Sequence, residues 1–455
     1  MPVTDHQQRA GANSSALPAL RASSARWWLI APILLVFVVI NQIDKSNVSV
    51  LIADPKFAAD LGAAGQQARL GFISSAFFYG YGISLMIWGF VVDRIGPRKS
   101  ALAGVLGWAL TSLWCAWAGS LTEMYWARFA LGLAEGGLWP VCNKYVGRWF
   151  SRGEHGRIQA FWFNGAQIGI AIGLPVVTSL LLAFGWRGVF LACGIASAAI
   201  LLPVFFRLAP DQPSDSRWVN AAERAFIESN RPAPSLEAPR GLPFLATPVF
   251  WMIAFCHGCL VASFFGLSTW IPSYLTKVRG LAFSTMSISV ASAYLIPVLL
   301  ALWIGHLADR GSEKGTFPRA MVSAGTSVAM AALIVAGVNA PVTMLSMLLL
   351  VTSMAAPITQ GAANTALLHE LVEPAQIGSA TGLCVGIGNI LGAAGPTVVG
   401  WFIGHASGEY LGAFGFLGLV NLVQGLVYWR IGAWERQALS EAAGERKQVS
   451  PQAAR

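Results

Sequence analysis

Charged side chains are scarce in this sequence. Only 11% of its 455 residues are Asp, Glu, Lys or Arg, whereas 55% are hydrophobic. A soluble domain carries roughly 25% charged residues. The scarcity therefore argues against a soluble globular protein. It predicts an all-α integral membrane protein, because a helix of about 20 apolar residues spans a bilayer.

Cysteine and catalytic motifs are also sparse. All six cysteines fall inside apolar stretches, which favours small buried side chains over disulfides. The run Cys256-His257-Gly258-Cys259 has no second ligand pair at zinc spacing. The chain contains no H-E-x-x-H and no G-x-S-x-G motif. We therefore expect neither an enzyme nor a metal site, and no cofactor.

Twelve apolar stretches are each long enough to cross a bilayer as a helix. They form two groups of six on either side of a hydrophilic, proline-rich segment. The predicted spans are 27–52, 70–92, 100–119, 122–146, 158–182, 187–207, 248–275, 284–308, 319–338, 341–366, 377–404 and 410–431. The predicted divisions are an N-terminal tail at 1–26, a first half at 27–208, a linker at 209–247, a second half at 248–431 and a C-terminal tail at 432–455.

Lysine and arginine are unevenly shared among the connecting segments. If both termini are cytoplasmic, 22 of these residues fall in inside segments and 5 in outside loops. Cytoplasmic loops of membrane proteins carry such an excess. The pattern therefore predicts two cytoplasmic termini. It also accounts for the net charge of +9 without a nucleic-acid partner.

The two halves carry related sequences at corresponding positions. Residues 89–94, GFVVDR, end the second span, and residues 305–310, GHLADR, end the eighth. A parallel repeat of six spans is typical of alternating-access carriers, which bind substrate near the midplane between the halves. Acids and bases at helix ends can hold one conformation. We expect such a gating role for Asp93, Arg94, Asp309 and Arg310.

Four ionisable residues lie within predicted spans: Asp44 and Lys45 in the first, Arg128 and Glu135 in the fourth. A charge near the bilayer centre costs about 2.5–3.5 kcal/mol on insertion scales, so it usually has a function. Neighbours on a helix point about 100° apart, whereas residues seven apart share one face. Arg128 and Glu135 should therefore share a face, while Asp44 and Lys45 should not.

These positions suggest a division of roles. We interpret Asp44 and Glu135 as proton-binding groups, with the proton as coupling ion. We interpret Lys45 as the cationic anchor for a substrate carboxylate, and Arg128 as the partner that tunes the acids. An alternative remains, in which the four charges form only an ion-pair network that fixes helix packing.

Several motifs resemble those of a known family. Residues 89–99 resemble the G-x3-D-R-x-G-x-[RK]-[RK] loop of the major facilitator superfamily, with Pro97 inserted. Residues 43–47, IDKSN, resemble the span-one signature of its anion:cation symporters, and residues 128–143 resemble their span-four signature. Residues 378–389 resemble their span-eleven segment. The resemblance implies a twelve-helix fold and proton-driven uptake of a small carboxylate, such as a sugar acid, across a bacterial inner membrane.

The chain also departs from that family. Lys45 stands where the family usually has arginine, and Gln42 where it often has an aromatic residue. Lysine lacks the planar fork that grips a carboxylate at two points. The resemblance places Tyr81 and Asn389 at substrate-contacting positions. The predicted substrate-binding set is Gln42, Lys45, Asn47, Tyr81, Gln167 and Asn389.

Other functions remain open at this stage. An organophosphate antiporter of the same fold would place an arginine in span seven, and residues 248–276 contain no lysine or arginine. A neutral-solute exporter would not need Lys45 beside Asp44. A transporter-like sensor would need an output surface, which the short linker and tail do not offer. We expect the chain to work as a monomer in the lipid bilayer.

Overall fold

The computed structural model describes residues 25–230, 241–301, 303–304, 319–372, 376–405 and 409–449. Every regular element in these ranges is helical. The predicted gating residues Asp309 and Arg310 lie outside the described residues.

Among the described residues, seven helices precede the hydrophilic segment. They are α1 (Arg26–Ala53), α2 (Pro55–Asp60), α3 (Gln67–Ile95), α4 (Pro97–Trp117), α5 (Leu121–Glu135), α6 (Leu138–Trp149) and α7 (His155–Arg207). Helix α1 packs against α7, and α3 packs against α5. Local sequence sets the starts of two of them. Pro97 opens α4, and Ser120 caps α5 by accepting a hydrogen bond from the backbone N–H of Glu123 at 3.2 Å.

Two features interrupt the helices of this half. Helix α7 has 53 residues, about 80 Å, which is enough for two bilayer crossings. Its helical path is broken at Gly185, whose φ of 69° suits glycine. Helices α5 and α6 are separated by Gly136 and Gly137, two residues of low helix propensity. The Trp88 indole N–H donates to the carbonyl oxygen of Leu133 at 2.9 Å, which satisfies an acceptor near the end of α5.

Further helices follow in the part of the chain that the structure describes. They include α8 (Ala221–Ser229), α9 (Pro248–Lys277), α10 (Phe283–Ala293), α11 (Arg319–Asn339), α12 (Thr343–Ser353), α13 (Ala355–Leu371), α14 (Ile377–Gly392), α15 (Gly395–His405) and α16 (Tyr410–Val449). Residues 295–301 are also helical. The short helix α8 lies in the linker, and Asn220 caps it by accepting a hydrogen bond from the backbone N–H of Glu223 at 2.8 Å. Its Glu223 is fully buried and pairs with Arg26 at 2.7 Å, which docks the linker on the first helix.

Ten helical stretches among the described residues are long and apolar enough to cross a membrane. The sequence predicted twelve. Helix α7 counts once although two predicted spans lie within it, and α5 and α6, of 15 and 12 residues, are each too short to count. The fold is thus an all-helical membrane bundle.

The two halves meet tightly at one end of the bundle, where α1 ends and α3 begins. A Cβ atom at Gly71 would overlap the backbone carbonyl of Pro396. Thr397 donates a hydrogen bond to Ser75 at 2.7 Å. The Lys277 ammonium reaches the carbonyl oxygen of Ile52 at 3.5 Å. This end, called the distal end below, is closed between the halves.

Candidate functional site

The carboxylate of Asp44 lies inside the first half. Its side chain is buried, and each oxygen accepts one hydrogen bond. Oδ1 accepts from the Asn47 amide at 3.0 Å, and Oδ2 accepts from the indole N–H of Trp108 at 2.9 Å. These two donors hold the carboxylate between α1 and α4.

Glu135 is the last residue of α5, beside the glycine break, and it is also buried. Its Oε2 accepts a hydrogen bond from the Asn41 amide at 2.6 Å. Its Oε1 is buried without a hydrogen-bond partner among the described protein groups. The carboxyl groups of Glu135 and Asp44 are close enough to interact electrostatically. The two acids from α1 and α5 therefore form one buried pair.

The cationic groups of Lys45 and Arg128 lie over the faces of aromatic rings. The Lys45 Nζ lies 4.0 Å from the centroid of Tyr81 and 5.8 Å from that of Phe77. The Arg128 guanidinium carbon lies 4.7 Å from the same Phe77 centroid. Cations are attracted to the faces of such rings. Phe77 therefore joins the two cations in one cluster.

Neither cation has a carboxylate within ion-pairing distance of 4.0 Å in the described part of the chain. Both cations still interact with the acid pair through longer-range electrostatic attraction. Two guanidinium nitrogens of Arg128, Nε and Nη1, are buried without a hydrogen-bond partner among the described groups. A buried charge with free donors is costly unless an anion satisfies it. The cluster is therefore prepared to receive an anion.

A cavity of about 50 Å³ opens beside this cluster, with room for a few water molecules. Lys45 and Arg128 line it from the first half, and α9 closes it from the second half. Its polar lining is Gln42, Lys45, Ser46, Ser49, Ser74, Arg128, Ser268, Thr269 and Tyr294. Asp44 and Glu135 do not line it. The cations face the space between the halves, and the acids lie behind them.

The family model of the Major Facilitator Superfamily matches residues 34–392. The chain belongs to this superfamily. The match includes all four intramembrane charges and extends through α14. Membership shows a multi-pass membrane transporter and not an enzyme, as the sequence predicted.

Curated relatives narrow the branch of the superfamily. The chain is 31% identical over 279 residues to a probable sulfoacetate transporter of Cupriavidus necator, a match that spans 60% of this chain and 62% of that protein. It is 25% identical over 426 residues to a probable galactarate/D-glucarate transporter of Bacillus subtilis, with 89% and 91% covered. It is 28% identical to a hexuronate transporter of Bacillus subtilis, with 83% and 87% covered. These relatives confirm the resemblance to the anion:cation symporters.

Solved structures show the same fold. A bacterial homologue of the lysosomal transporter Spinster, in an inward-facing and occupied conformation, gives a TM-score of 0.68 at 15% identity and covers 90% of this chain and 97% of that one. A D-xylose-proton symporter gives 0.66 at 18% identity, with 88% and 96% covered. At these identities the likeness establishes the major facilitator fold alone.

The predicted substrate-binding residues lie at different distances from the cavity. Of the predicted substrate-binding set, Gln42 and Lys45 line it. The Tyr81 ring lies against the Lys45 ammonium, and Asn47 bonds Asp44. Gln167 and Asn389 do not line the cavity, and the Asn389 amide donates to the carbonyl oxygen of Val385 at 2.8 Å. In this conformation Gln42, Lys45, Tyr81 and Asn47 therefore lie at the cavity or contact the charged residues beside it, whereas Gln167 and Asn389 do not line the cavity.

The motif at the end of α3 makes contacts with α6 and with the start of the linker. The Asp93 carboxylate pairs with Lys144 of α6 at 2.6 Å. Arg94 is exposed. The backbone N–H of Arg98 donates to Asp211 at 3.0 Å, beyond the end of α7. Asp93 and Arg98 thus tie α3 and α4 to α6 and to the start of the linker.

Two residues of the site were not singled out from the sequence. Asn41 binds Glu135, and Trp108 binds Asp44. Asn41 lies three residues before Asp44, a spacing that places both on one helix face. Trp108 lies in the middle of α4, away from the membrane interfaces where tryptophan usually anchors. The spacing of Asn41 from Asp44 and the position of Trp108 in the middle of a span are the two sequence features that could have identified these residues.

Proposed function

We propose that this transporter is a proton-coupled symporter that takes up a small organic anion, such as a sugar acid. The observation that carries the proposal is the layered charge cluster. Two cations that have no carboxylate partner among the described residues face the cavity between the halves, and two hydrogen-bonded carboxyl groups lie directly behind them. A neutral solute would not need unpaired cations at its site.

The names of the relatives support an organic anion. They are described as carriers of sulfoacetate, of galactarate and D-glucarate, and of hexuronate. Each of these solutes carries at least one carboxylate, and the charges of Lys45 and Arg128 suit such groups. We place the anionic end of the substrate between Lys45 and Arg128, with Gln42 and the serine hydroxyls of the cavity bonding its polar remainder.

Coupling follows from the interaction between the acids and the cations. Two adjacent buried carboxyl groups repel each other when both are ionised, so the pair favours binding a proton. A protonated acid pair attracts Lys45 and Arg128 less, which leaves both cations free for the substrate. When the proton leaves, the carboxylates compete for the cations and weaken substrate binding. Uptake of the anion is therefore linked to uptake of the proton, because the carboxylates and the substrate compete for the same cations.

We further propose twelve spans with both termini in the cytoplasm. Helix α7 would supply two spans that meet at Gly185, and α5 with α6 would form one span broken at Gly136 and Gly137. The closed distal end then faces outside, and the site is reached from the cytoplasmic side. Alternating access exchanges this state for one that is open at the distal end. The resident coupling ion is the proton, and one chain contains the whole site.

A liposome assay tests the proposal. Purified protein is reconstituted, and a panel of sulfoacetate, D-glucarate, a hexuronate and a neutral sugar is offered with and without an inward proton gradient. The proposal expects uptake of at least one acid that the gradient accelerates, with no uptake of the neutral sugar. Uptake of the neutral sugar alone would contradict it. Gradient-independent uptake of an acid would retain anion transport and overturn the proton coupling.

A further inference from the structure

A second, smaller cavity lies within the first half. It has a volume of about 10 Å³, which is enough for one water molecule. Helices α1, α4 and α6 line it together with the end of α5. None of its lining residues also lines the cavity between the halves. It is called the inner crevice below.

The inner crevice extends from the acid pair toward the end of the bundle that is opposite the distal end. At one end it is lined by Asn41, Trp108 and Glu135, the groups around the acid pair. From there each helix contributes residues nearer to the end of the bundle that is opposite the distal end. These are Phe37 on α1, Ser100 on α4 and Val141 on α6. Along α4 the eight residues from Trp108 to Ser100 correspond to about 12 Å. Ser100 lies one turn from the first residue of that helix.

Two residues that line the inner crevice each have a polar atom that is buried without a partner among the described protein groups. These atoms are Oε1 of Glu135 and Oγ of Ser100, in side chains that are 3% and 1% exposed. Most buried polar atoms in proteins are hydrogen-bonded to protein or to water. The rest of the lining is largely apolar. The two unpartnered atoms therefore mark the places where water can be held in an otherwise apolar passage.

We propose that the inner crevice is a proton route that is separate from the substrate route, with Ser100 as its relay. This inference rests on the proton coupling proposed above and adds the path. The Glu135 carboxyl gives its proton to a water in the inner crevice and becomes a carboxylate. That water passes a proton to the Ser100 hydroxyl, which releases its own proton toward the end of α4. One proton leaves for each one lost by the acid pair.

Separation of the routes has a functional consequence. The substrate leaves past Lys45 and Arg128 into the space between the halves, whereas the proton leaves through the first half. Release of the proton then does not depend on the substrate having left. A variant that blocks the inner crevice should slow net proton-coupled uptake and leave exchange of substrate intact.

The test uses Ser100→Val, which removes the relay hydroxyl and fills the inner crevice, and Ser100→Ala, which only removes the hydroxyl. Ser112→Val is the matched control, since Ser112 is a buried serine of α4 that also lacks a partner but does not line the inner crevice. Two readouts are taken in liposomes. One is proton-driven uptake of the acid from the panel that wild type carries, with a pH dye inside. The other is counterflow of the same acid, which needs no net proton release.

We expect Ser100→Val to slow proton-driven uptake about tenfold or more, as loss of a proton-transfer group commonly does, with counterflow near wild type. Ser100→Ala should fall between Ser100→Val and wild type, and Ser112→Val should match wild type in both readouts. Equal uptake by both Ser100 variants and the control would overturn the inference. If wild type itself shows no proton dependence, the proposed coupling fails, which is a different result from failure of the route alone.

Discussion

The indole N–H of Trp108 donates a 2.9 Å hydrogen bond to Oδ2 of Asp44. This bond connects α4 to the carboxylate of α1 in a region where both side chains are almost fully buried. Tryptophan is a donor only, so Oδ2 of Asp44 is the acceptor in this bond. The relationship shows that the acid pair is held by neutral donors, with Asn41 and Asn47 supplying the others.

Trp108→Phe should lower the stability of the folded protein. The phenyl ring retains much of the packing, but Oδ2 of Asp44 loses its donor. A buried polar atom left without a partner costs about 1–3 kcal/mol. Thermal unfolding in detergent measures the effect. Trp114→Phe is the control, because Trp114 on the same helix donates to Glu123 at an exposed site. An equal loss in both variants would contradict the assignment.

Lys45→Gln should weaken substrate binding. The charge that faces the cavity is lost, and a hydrogen bond to a charged group contributes about 1.5–3 kcal/mol, or roughly 10- to 150-fold in Kd. Binding of the transported acid to purified protein measures the change. Lys56→Gln removes an exposed lysine outside the cavity as a control. Unchanged affinity in Lys45→Gln would place the anion elsewhere.

Much of the architecture could be predicted from the sequence because it depends on local properties. The limits of the apolar stretches set the helix ends, as for Pro248–Lys277 against the predicted 248–275. The break at Gly136 was missed, because residues 122–146 are mostly apolar, have the length of a single span, and contain one pair of adjacent glycines. Whether two adjacent glycines interrupt a helix depends on the side chains that pack against them, which here are Ser84 and Trp88 of α3.

Gly71→Ala should shift the balance between conformations. A Cβ there would overlap the carbonyl of Pro396 across the halves, so the closed distal end becomes strained and the state open at that end gains population. Labelling of a single cysteine at Ser74, which lines the cavity, by a membrane-impermeant thiol reagent from outside reports the change. This assay uses a background in which the six native cysteines are replaced.

The matched control is Gly89→Ala on the same helix, where an added Cβ meets nothing within 4 Å. We expect faster labelling in Gly71→Ala than in Gly89→Ala, which should behave like the parent. Slower or equal labelling in Gly71→Ala would show that this contact does not close the distal end.

Glu154 should contribute to stability in a pH-dependent way. Partial burial raises the pKa of Glu154, but hydrogen bonds from Arg26, Trp27 and Ser151 outweigh it and bring the pKa down to about 2. A free glutamate titrates near 4.3. Because the folded pKa is the lower one, the contribution is complete above about pH 4.3 and is lost as pH falls through about 2.

Glu154→Gln tests this directly. At pH 7 it should unfold at a lower temperature than wild type, and the difference should shrink steadily as the pH falls from about 4.3 toward 2. Thermal unfolding across that pH range gives the comparison. A difference that stays constant with pH would mean that the charge of Glu154 is not what stabilises the contact.

The site was less predictable than the fold because its arrangement depends on how helices pack. The sequence indicated that Asp44, Lys45, Arg128 and Glu135 matter, since charge inside a span is costly. It could not show that Arg128 lines the cavity, because the rotation of α5 is set by its contacts with α3. Nor could it assign Trp108 to Asp44, which is 64 residues away in the sequence. Such pairs are defined only by tertiary structure.

Proton-driven accumulation by Glu135→Gln is the most direct test of the central claim, which is that the buried acid pair couples proton and anion. Glu123→Gln, on the same helix but at the distal end, serves as the control. Both are measured in liposomes for net uptake under an inward proton gradient and for counterflow. The account predicts that Glu135→Gln loses gradient-driven accumulation and keeps counterflow, while Glu123→Gln keeps both. Accumulation by Glu135→Gln at the wild-type level would contradict it.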